Sequence, residues 1–239
     1  MKLLAVDTAL DALAVALLVR EGDRIDVFAE TEIIGRGHAE RLMGAIDALL
    51  ARAGTPLDAI DAFAVTTGPG SFTGIRIGVA ATRGFALAAG KPAVGVPTLE
   101  ALAAEARAIV PGRAVFAVLD ARKGEVYAQG FTAEGAPLGR AEVIAPALVA
   151  ERASARDAVL VGTGAGLVAA HAPALAVLPA PVIPGIETIA RLALARLDAC
   201  GGACDKPSPL YVRPADAKPQ DGRRLARLTP EALLGEAAR

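Results

Sequence analysis

The chain contains no tryptophan, and phenylalanine and tyrosine together supply only 3% of its 239 residues. Hydrophobic residues still reach 54%, so any core must be assembled from Ala, Val, Leu and Ile. Charge of either sign is not in excess: 25 basic residues stand against 26 acidic ones, a net charge of −1. No global positive field is available to grip nucleic acid, so a role with RNA would need another subunit to do the holding. Histidine is limited to His38 and His171, too far apart for a local metal-binding pair. The two cysteines, Cys200 and Cys204, flank Gly201-Gly202 with no histidine nearby and read as incidental thiols. Every apolar stretch is broken by Asp, Arg or Gly before it reaches membrane-spanning length, and Met1-Lys2 leads straight into a strand. A soluble cytoplasmic protein is expected.

What is present is a regular alternation. Lys2 to Thr8 reads as a buried strand ending in Asp7, Ala12 to Arg20 as its hairpin partner, and Ile25 to Ile33 as a third strand. Gly37 opens a helix whose apolar stripe is Leu42, Met43, Ile46, Leu49 and Leu50, and Gly54 with Pro56 ends it. Strand Ala62 to Val65, helix Gly74 to Ala89, strand Ala93 to Val96 and helix Thr98 to Ala108 follow. Strands alternating with helices indicate an α/β fold with some parallel pairing. The second half echoes the first. Phe116 to Asp120 repeats the strand-ending-in-Asp pattern of Leu3 to Asp7, and Asp157 to Gly162 repeats Asp61 to Thr66 before a second glycine loop. Two related lobes, 1–110 and a smaller 111–205, are the economical reading, with 206–239 as a tail that hugs the surface and ends in a short helix from Thr229. Chance similarity between short apolar strands is the rival.

Chemistry-bearing patterns are sparse. The run Gly68-Pro69-Gly70-Ser71, between a strand and a helix, suits either an anion or a closely packed neighbouring chain. Asp7 and Asp120, at strand ends beside hairpins, are positions where phosphate-transferring enzymes hold a hydrated cation, although each could equally cap its own hairpin. Gly84 to Lys91 has the wrong spacing for a phosphate-binding P-loop, and Pro92 stands where Ser or Thr should hold magnesium. The second loop falls short of a dinucleotide fingerprint, and Ser71 lies in no nucleophile elbow. His38, near a helix start, reads as a capping or interface residue, and His171 as the end of a helix.

The opening Leu3 to Thr8, the helix start Gly37-His38-Ala39-Glu40 and the run from Gly68 to Gly78 resemble the TsaB (YeaZ) family. Thr82 to Ala88, Val94 to Leu99 and the closing Pro209-Leu210-Tyr211-Val212-Arg213 continue the resemblance, which is dense over residues 1 to 130. It implies the actin/hexokinase/heat-shock ATPase fold, a duplicated ribonuclease H-like architecture of two lobes with mixed sheets flanked by helices. It further implies a non-catalytic subunit of the bacterial machinery that makes threonylcarbamoyladenosine in tRNA. Such a subunit dimerises with the transferase TsaD, works beside the ATPase TsaE, and meets tRNA only through the complex. TsaD relatives carry two metal-binding histidines four residues apart. The matching positions here are Thr98 and Leu102, which cannot replace imidazoles.

By the same resemblance the first two helices pair with their equivalents in TsaD, with His38, Leu42, Met43, Ile46, Leu50, Ile75, Arg76 and Val79 as partner-binding residues. Two copies could meet through that surface when the partner is absent. Whether each apolar stripe faces the partner or this chain's own sheet is left open by periodicity. No cofactor or metal is required in this reading. A weak ATP or ADP contact at the subunit junction, through Asp7, Thr8, Gly68, Pro69, Gly70 and Ser71, remains an alternative. The competing function is a small-molecule kinase or ATPase on the same fold, using Asp7 and both glycine loops.

Overall fold

The computed structural model describes residues 1–179 and 183–213, so the terminal helix expected from Thr229 lies outside the described residues. The first sheet contains β1 (Lys2–Asp7), β2 (Ala12–Glu21), β3 (Arg24–Ile33), β4 (Ala62–Gly68) and β5 (Ala93–Pro97), in the order β3-β2-β1-β4-β5. β1 and β2 form an antiparallel hairpin, while β4 lies parallel to β1 and β5 parallel to β4. β1 is buried on both faces, which is why it reads as a continuous apolar run. Its Leu4 and Val6 pack beneath α1 (His38–Arg52), with α2 (Phe72–Ala89) alongside.

The second sheet repeats the plan in miniature. β6 (Val115–Asp120), β7 (Val126–Phe131), β8 (Glu142–Ile144) and β9 (Val159–Val161) take the order β8-β7-β6-β9, with a parallel step from β6 to β9 that matches the one from β1 to β4. A fifth strand survives only as a single parallel bridge between Leu160 and Val177. α4 (Pro146–Ser154) and α5 (Ala165–Ala169) cover one face. The echo between the halves is thus a true architectural repeat, and the two lobes form the actin/hexokinase/heat-shock ATPase fold.

The other face of each sheet receives a helix from the opposite half. α3 (Thr98–Ile109) follows β5, yet its Leu99, Leu102 and Ala106 pack with Val115, Ala117 and Leu119 of β6. α6 (Ile186–Ala199) follows the second sheet, yet Ile189, Ala190 and Ala193 pack against Leu3, Ala5 and Val94 of the first. The expected boundary at 205 therefore needs correction: residues 186–199 belong with the first lobe, because that lobe's exposed sheet face is the one their apolar stripe covers.

The cysteine expectation is also overturned. Cys200 and Cys204 are joined in a disulfide, their Cα atoms 5.4 Å apart. Gly201 and Gly202 adopt positive φ angles of 57° and 82°, folding the chain back so that Cys204 returns over the end of α6. From there residues 205–213 run along the surface as a strap. Among the described residues no helix is long and apolar enough to cross a membrane.

Candidate functional site

Asp7 ends β1 at the base of the β1–β2 turn, only 2% exposed. Its Oδ1 accepts hydrogen bonds from the Thr66 hydroxyl and, at 2.8 Å, from the Ala9 amide. Burial pushes the Asp7 carboxyl above its ordinary value, and the two hydrogen bonds and the nearby His38 offset that only in part. His38 is buried as well. Its Nε2 lies 3.1 Å from the Leu10 carbonyl oxygen and 3.2 Å from that of Ala12. Both partners are acceptors, so Nε2 carries the proton and the ring pins the turn.

The glycine loop wraps the same turn. The Ser71 amide donates to the Ala9 carbonyl at 2.7 Å, and the Gly74 amide donates to Ser71 Oγ at 3.2 Å, an N-cap for α2. The Thr8 hydroxyl returns a hydrogen bond to the Gly74 carbonyl at 2.7 Å. A Cβ at Gly70 would strike the Ala9 carbonyl, and one at Gly74 would strike that of Thr8. Of the two readings of this loop, the closely packed neighbouring chain is the one observed.

A phosphate with its cation does not fit these residues. Asp7 is occluded, Thr8 is committed to Gly74, and the Ser71 amide is spent on Ala9. Of the six residues expected to touch a nucleotide, only Gly70 and Ser71 border the cleft between the lobes, a cavity of about 500 Å3. Asp7, Thr8, Gly68 and Pro69 lie behind that wall. Across the cleft stand Asp120, Arg122 and Thr163. The Asp120 amide donates to the Thr163 hydroxyl at 3.0 Å, and its Oδ1 accepts the Arg122 amide at 2.7 Å.

The positions matching the transferase histidines do not fit a metal either. Thr98 and Leu102 are fully buried, Leu102 within the apolar cluster beneath β6, while the Thr98 hydroxyl has no hydrogen-bond partner among the described residues. Among the described residues no three His, Cys, Asp or Glu side chains converge.

The expected partner surface divides sharply. Met43 is 47% exposed, and Arg76 lies at the surface of α2. His38, Leu42, Ile46, Leu50, Ile75 and Val79 are buried in this chain's own core, so they cannot be offered to a partner. Both helices lie on their own sheet, and that sheet claims the apolar stripe. Among the exposed residues of α2 is a row that periodicity alone did not single out: Arg76, Ala80, Arg83 and Leu87.

The strap supplies contacts that sequence reasoning missed. The Leu210 amide donates to the Thr67 carbonyl at 2.8 Å. The Tyr211 ring lies 5.5 Å from that of Phe72, and its hydroxyl accepts from Arg76 Nε at 2.7 Å. Arg213 donates to the Ala121 carbonyl at 2.9 Å and to Glu125 at 2.5 Å, binding the second lobe's hairpin. No local sequence signal pairs Phe72 with Tyr211, which lie far apart in the chain and meet only in the fold.

A family model described as TsaD, tRNA N6-adenosine threonylcarbamoyltransferase, matches residues 30–151. The tRNA threonylcarbamoyladenosine biosynthesis protein TsaB of Escherichia coli (strain K12) is 38% identical over 170 residues, covering 69% of this chain and 72% of that one. The solved structure of YeaZ from Pseudomonas aeruginosa superposes with a TM-score of 0.74 at 34% identity, over 88% of this chain and 99% of that one. A second Pseudomonas aeruginosa structure, described as similar to peptidase YEAZ, gives a TM-score of 0.76 at 35% identity, over 89% and 99%.

Proposed function

This chain belongs to the TsaB (YeaZ) family of tRNA threonylcarbamoyladenosine biosynthesis proteins, and on that premise we propose that it is the non-catalytic partner of a TsaD-type transferase. The observation that carries the reading is the pair Thr98 and Leu102. Where the transferase would present two imidazoles, this chain has a buried hydroxyl and a buried isobutyl group. Neither can be turned into a metal ligand without dismantling the packing of α3 on β6. The occlusion of Asp7 argues in the same direction, since a kinase or ATPase would need that carboxylate open to the cleft.

What the chain does offer is an α1–α2 surface with Met43 and Leu87 exposed upon it. Its task in this reading is to dock on the transferase in the cytoplasm and sustain its activity, with TsaE as a further component and tRNA held by the assembly. The test is reconstitution of tRNA threonylcarbamoylation from purified components. This chain alone should give no modified nucleoside, and its addition to the organism's own transferase mixture should raise turnover at least about tenfold. Modification by the isolated chain would overturn the reading.

A further inference from the structure

The second lobe holds a hollow of about 320 Å3 on the α4 side of its sheet, away from the interlobe cleft. β6 runs between the two. Asp120 ends that strand at the cleft, and Phe116 lines the hollow, about 13 Å back along the strand. The floor is apolar. Phe116 stands opposite Gly130 in the β6–β7 ladder, and a Cβ at Gly130 would come within 2.8 Å of its ring. The ring therefore lies across bare backbone, with Ala128 and Val149 beside it. One wall is the chain after β7, folded back and fixed in place. The Leu138 amide donates to the Gly130 carbonyl at 2.8 Å, and Gln129 Nε2 donates to the Gly139 carbonyl at 2.9 Å.

Three arginines line this hollow, Arg140, Arg152 and Arg156, against one carboxylate, Glu142. Glu142 is spent on Arg152, at 3.2 Å. Arg156 gives one terminal nitrogen to the Arg152 carbonyl at 3.2 Å, which caps the end of α4 and holds the side chain beside the hollow. Arg140 has no hydrogen-bond or ion-pair partner among the described residues. Pairing accounts for Arg152 and capping for Arg156, but neither explains why three cations converge on one apolar surface. In a chain of net charge −1 they repel one another around a floor that offers no counter-charge. A bound anion relieves that repulsion. An RNA backbone suits the arrangement less well, because a phosphate tract is met by an extended basic surface, not by cations around one apolar hollow.

We propose that this hollow binds a small organic anion, with a ring-sized apolar body on the Phe116 floor. Its single carboxylate or phosphate group is taken by Arg140 and by the remaining nitrogens of Arg156. The volume stands at the lower end of the range for ligand pockets, about 300–1,000 Å3. One ring with its acidic group fits there, and a nucleoside triphosphate does not. The capped position of Arg156 limits the side-chain freedom lost on binding. The inference uses no residue of α1, α2 or the interlobe cleft, so it stands or falls apart from the transferase reading.

Titration of the isotope-labelled full chain with phenyl phosphate and with benzoate, followed by amide NMR, tests it. The better probe should bind with a Kd below about 1 mM and shift the Gly130, Gly139 and Arg152 amides most. Which probe is tighter identifies the acidic group. Benzamide, which keeps the ring without the charge, and inorganic phosphate, which lacks the ring, should each bind at least about tenfold more weakly. The double variant Arg140→Glu/Arg156→Glu should weaken the better probe at least about tenfold, with circular dichroism confirming its fold. Arg140→Gln, which removes no contact within the chain, should cost about threefold and keeps the test valid if the double variant is unstable. A Kd above about 1 mM for both probes, or equal affinity for benzamide, would overturn the proposal. So would shifts centred on Asp120 and Thr163, which would place the anion in the interlobe cleft. If charge reversal leaves both probes bound but abolishes retention of tRNA by the chain, the arginines are an RNA contact and the inference is wrong.

Discussion

Asp7 and Asp120 end the interior strands of two sheets built to one plan, yet they live in opposite surroundings. Asp7 is walled in by Ala9, Thr66 and a glycine loop. Asp120 has a side chain 33% exposed, lies beside Arg122 and looks into the interlobe cleft. Both glycine loops nevertheless exist for one reason. Gly70 passes over the Ala9 carbonyl in the first lobe, and Gly162 passes over the Val118 carbonyl in the second. Glycine at these points answers a close approach of backbone to backbone, which a phosphate-binding loop and a purely structural loop share. The difference between the lobes is tightness. The first lobe's loop and the helix after it also pack Gly74 onto Thr8 and Gly78 onto the Thr8 side chain, while the second lobe's loop adds Gly164 against Leu119 and Val118.

That difference can be broken by adding methyl groups. Gly74→Val should destabilise the protein by more than about 4 kcal/mol, because the obstacle is the Thr8 backbone and α2 would have to lift away from β1. Gly164→Ala should cost about 1–3 kcal/mol, its nearest obstacles standing at 2.9 Å. Gly84→Ala, in the middle of α2 with nothing within 4 Å, should gain about 0.5–1 kcal/mol. Urea unfolding of the three variants measures the order directly. Equal losses for Gly74→Val and Gly164→Ala would mean that the lobes are equally tight.

The first lobe was almost wholly legible in the sequence, because its elements declare themselves locally. The Leu3 to Asp7 strand, the Gly54-Pro56 stop and the Gly68 to Ser71 turn each carry their own signal, and α1 and α2 fall within two residues of their expected bounds. What was not legible is every decision made between distant segments. Periodicity gave the Leu42, Ile46 and Leu50 stripe, but only the assembled sheet determines that the stripe faces inward. Nothing in α6 says that it crosses back to cover Leu3 and Ala5. β8, α4 and α5 are too short to stand out, and the fifth strand of the second sheet is reduced to Val177. The phosphate reading of the first glycine loop was open for the same reason: the loop's neighbour, Ala9, lies far from it in sequence.

The two aspartates sharpen the comparison through pH. Burial raises the Asp7 carboxyl above its unfolded value of 3.8, so between 3.8 and that higher value the folded protein holds a proton that the unfolded chain has released. Stability contributed by this group is complete below 3.8 and declines as pH rises to the folded value. Asp7→Asn keeps an oxygen to accept from Thr66 and Ala9 but cannot ionise. Relative to wild type, the variant should therefore gain stability as pH climbs from 3.8 to the folded value and keep that gain above it, as followed by thermal melting across pH. Asp120→Asn should shift neutral-pH stability by under about 0.5 kcal/mol, as its partly exposed side chain can be solvated either way. A falling Asp7→Asn advantage with rising pH would show that the carboxylate is stabilised in place, as an ion-holding site requires.

The smallest effect concerns the strap that ties the lobes together. Arg213 reaches Ala121 and Glu125 on the second hairpin and lies 5.9 Å from the Tyr127 ring, but the ion pair it makes is open to solvent, with Glu125 45% exposed. Exposed pairs of this kind contribute about 0.2–1 kcal/mol, so Arg213→Ala should lower global stability by about 1 kcal/mol at most. Its local consequence should be clearer. The hairpin turn from 121 to 125, which already holds Arg122 and Lys123 at positive φ, loses its outside anchor, and amide exchange there should quicken while the β1, β2 and β4 amides keep their protection. If both sets of amides quicken together, the lobes open as one cooperative unit. The contrast between a tight first lobe and a looser second one would then hold for packing geometry but not for dynamics.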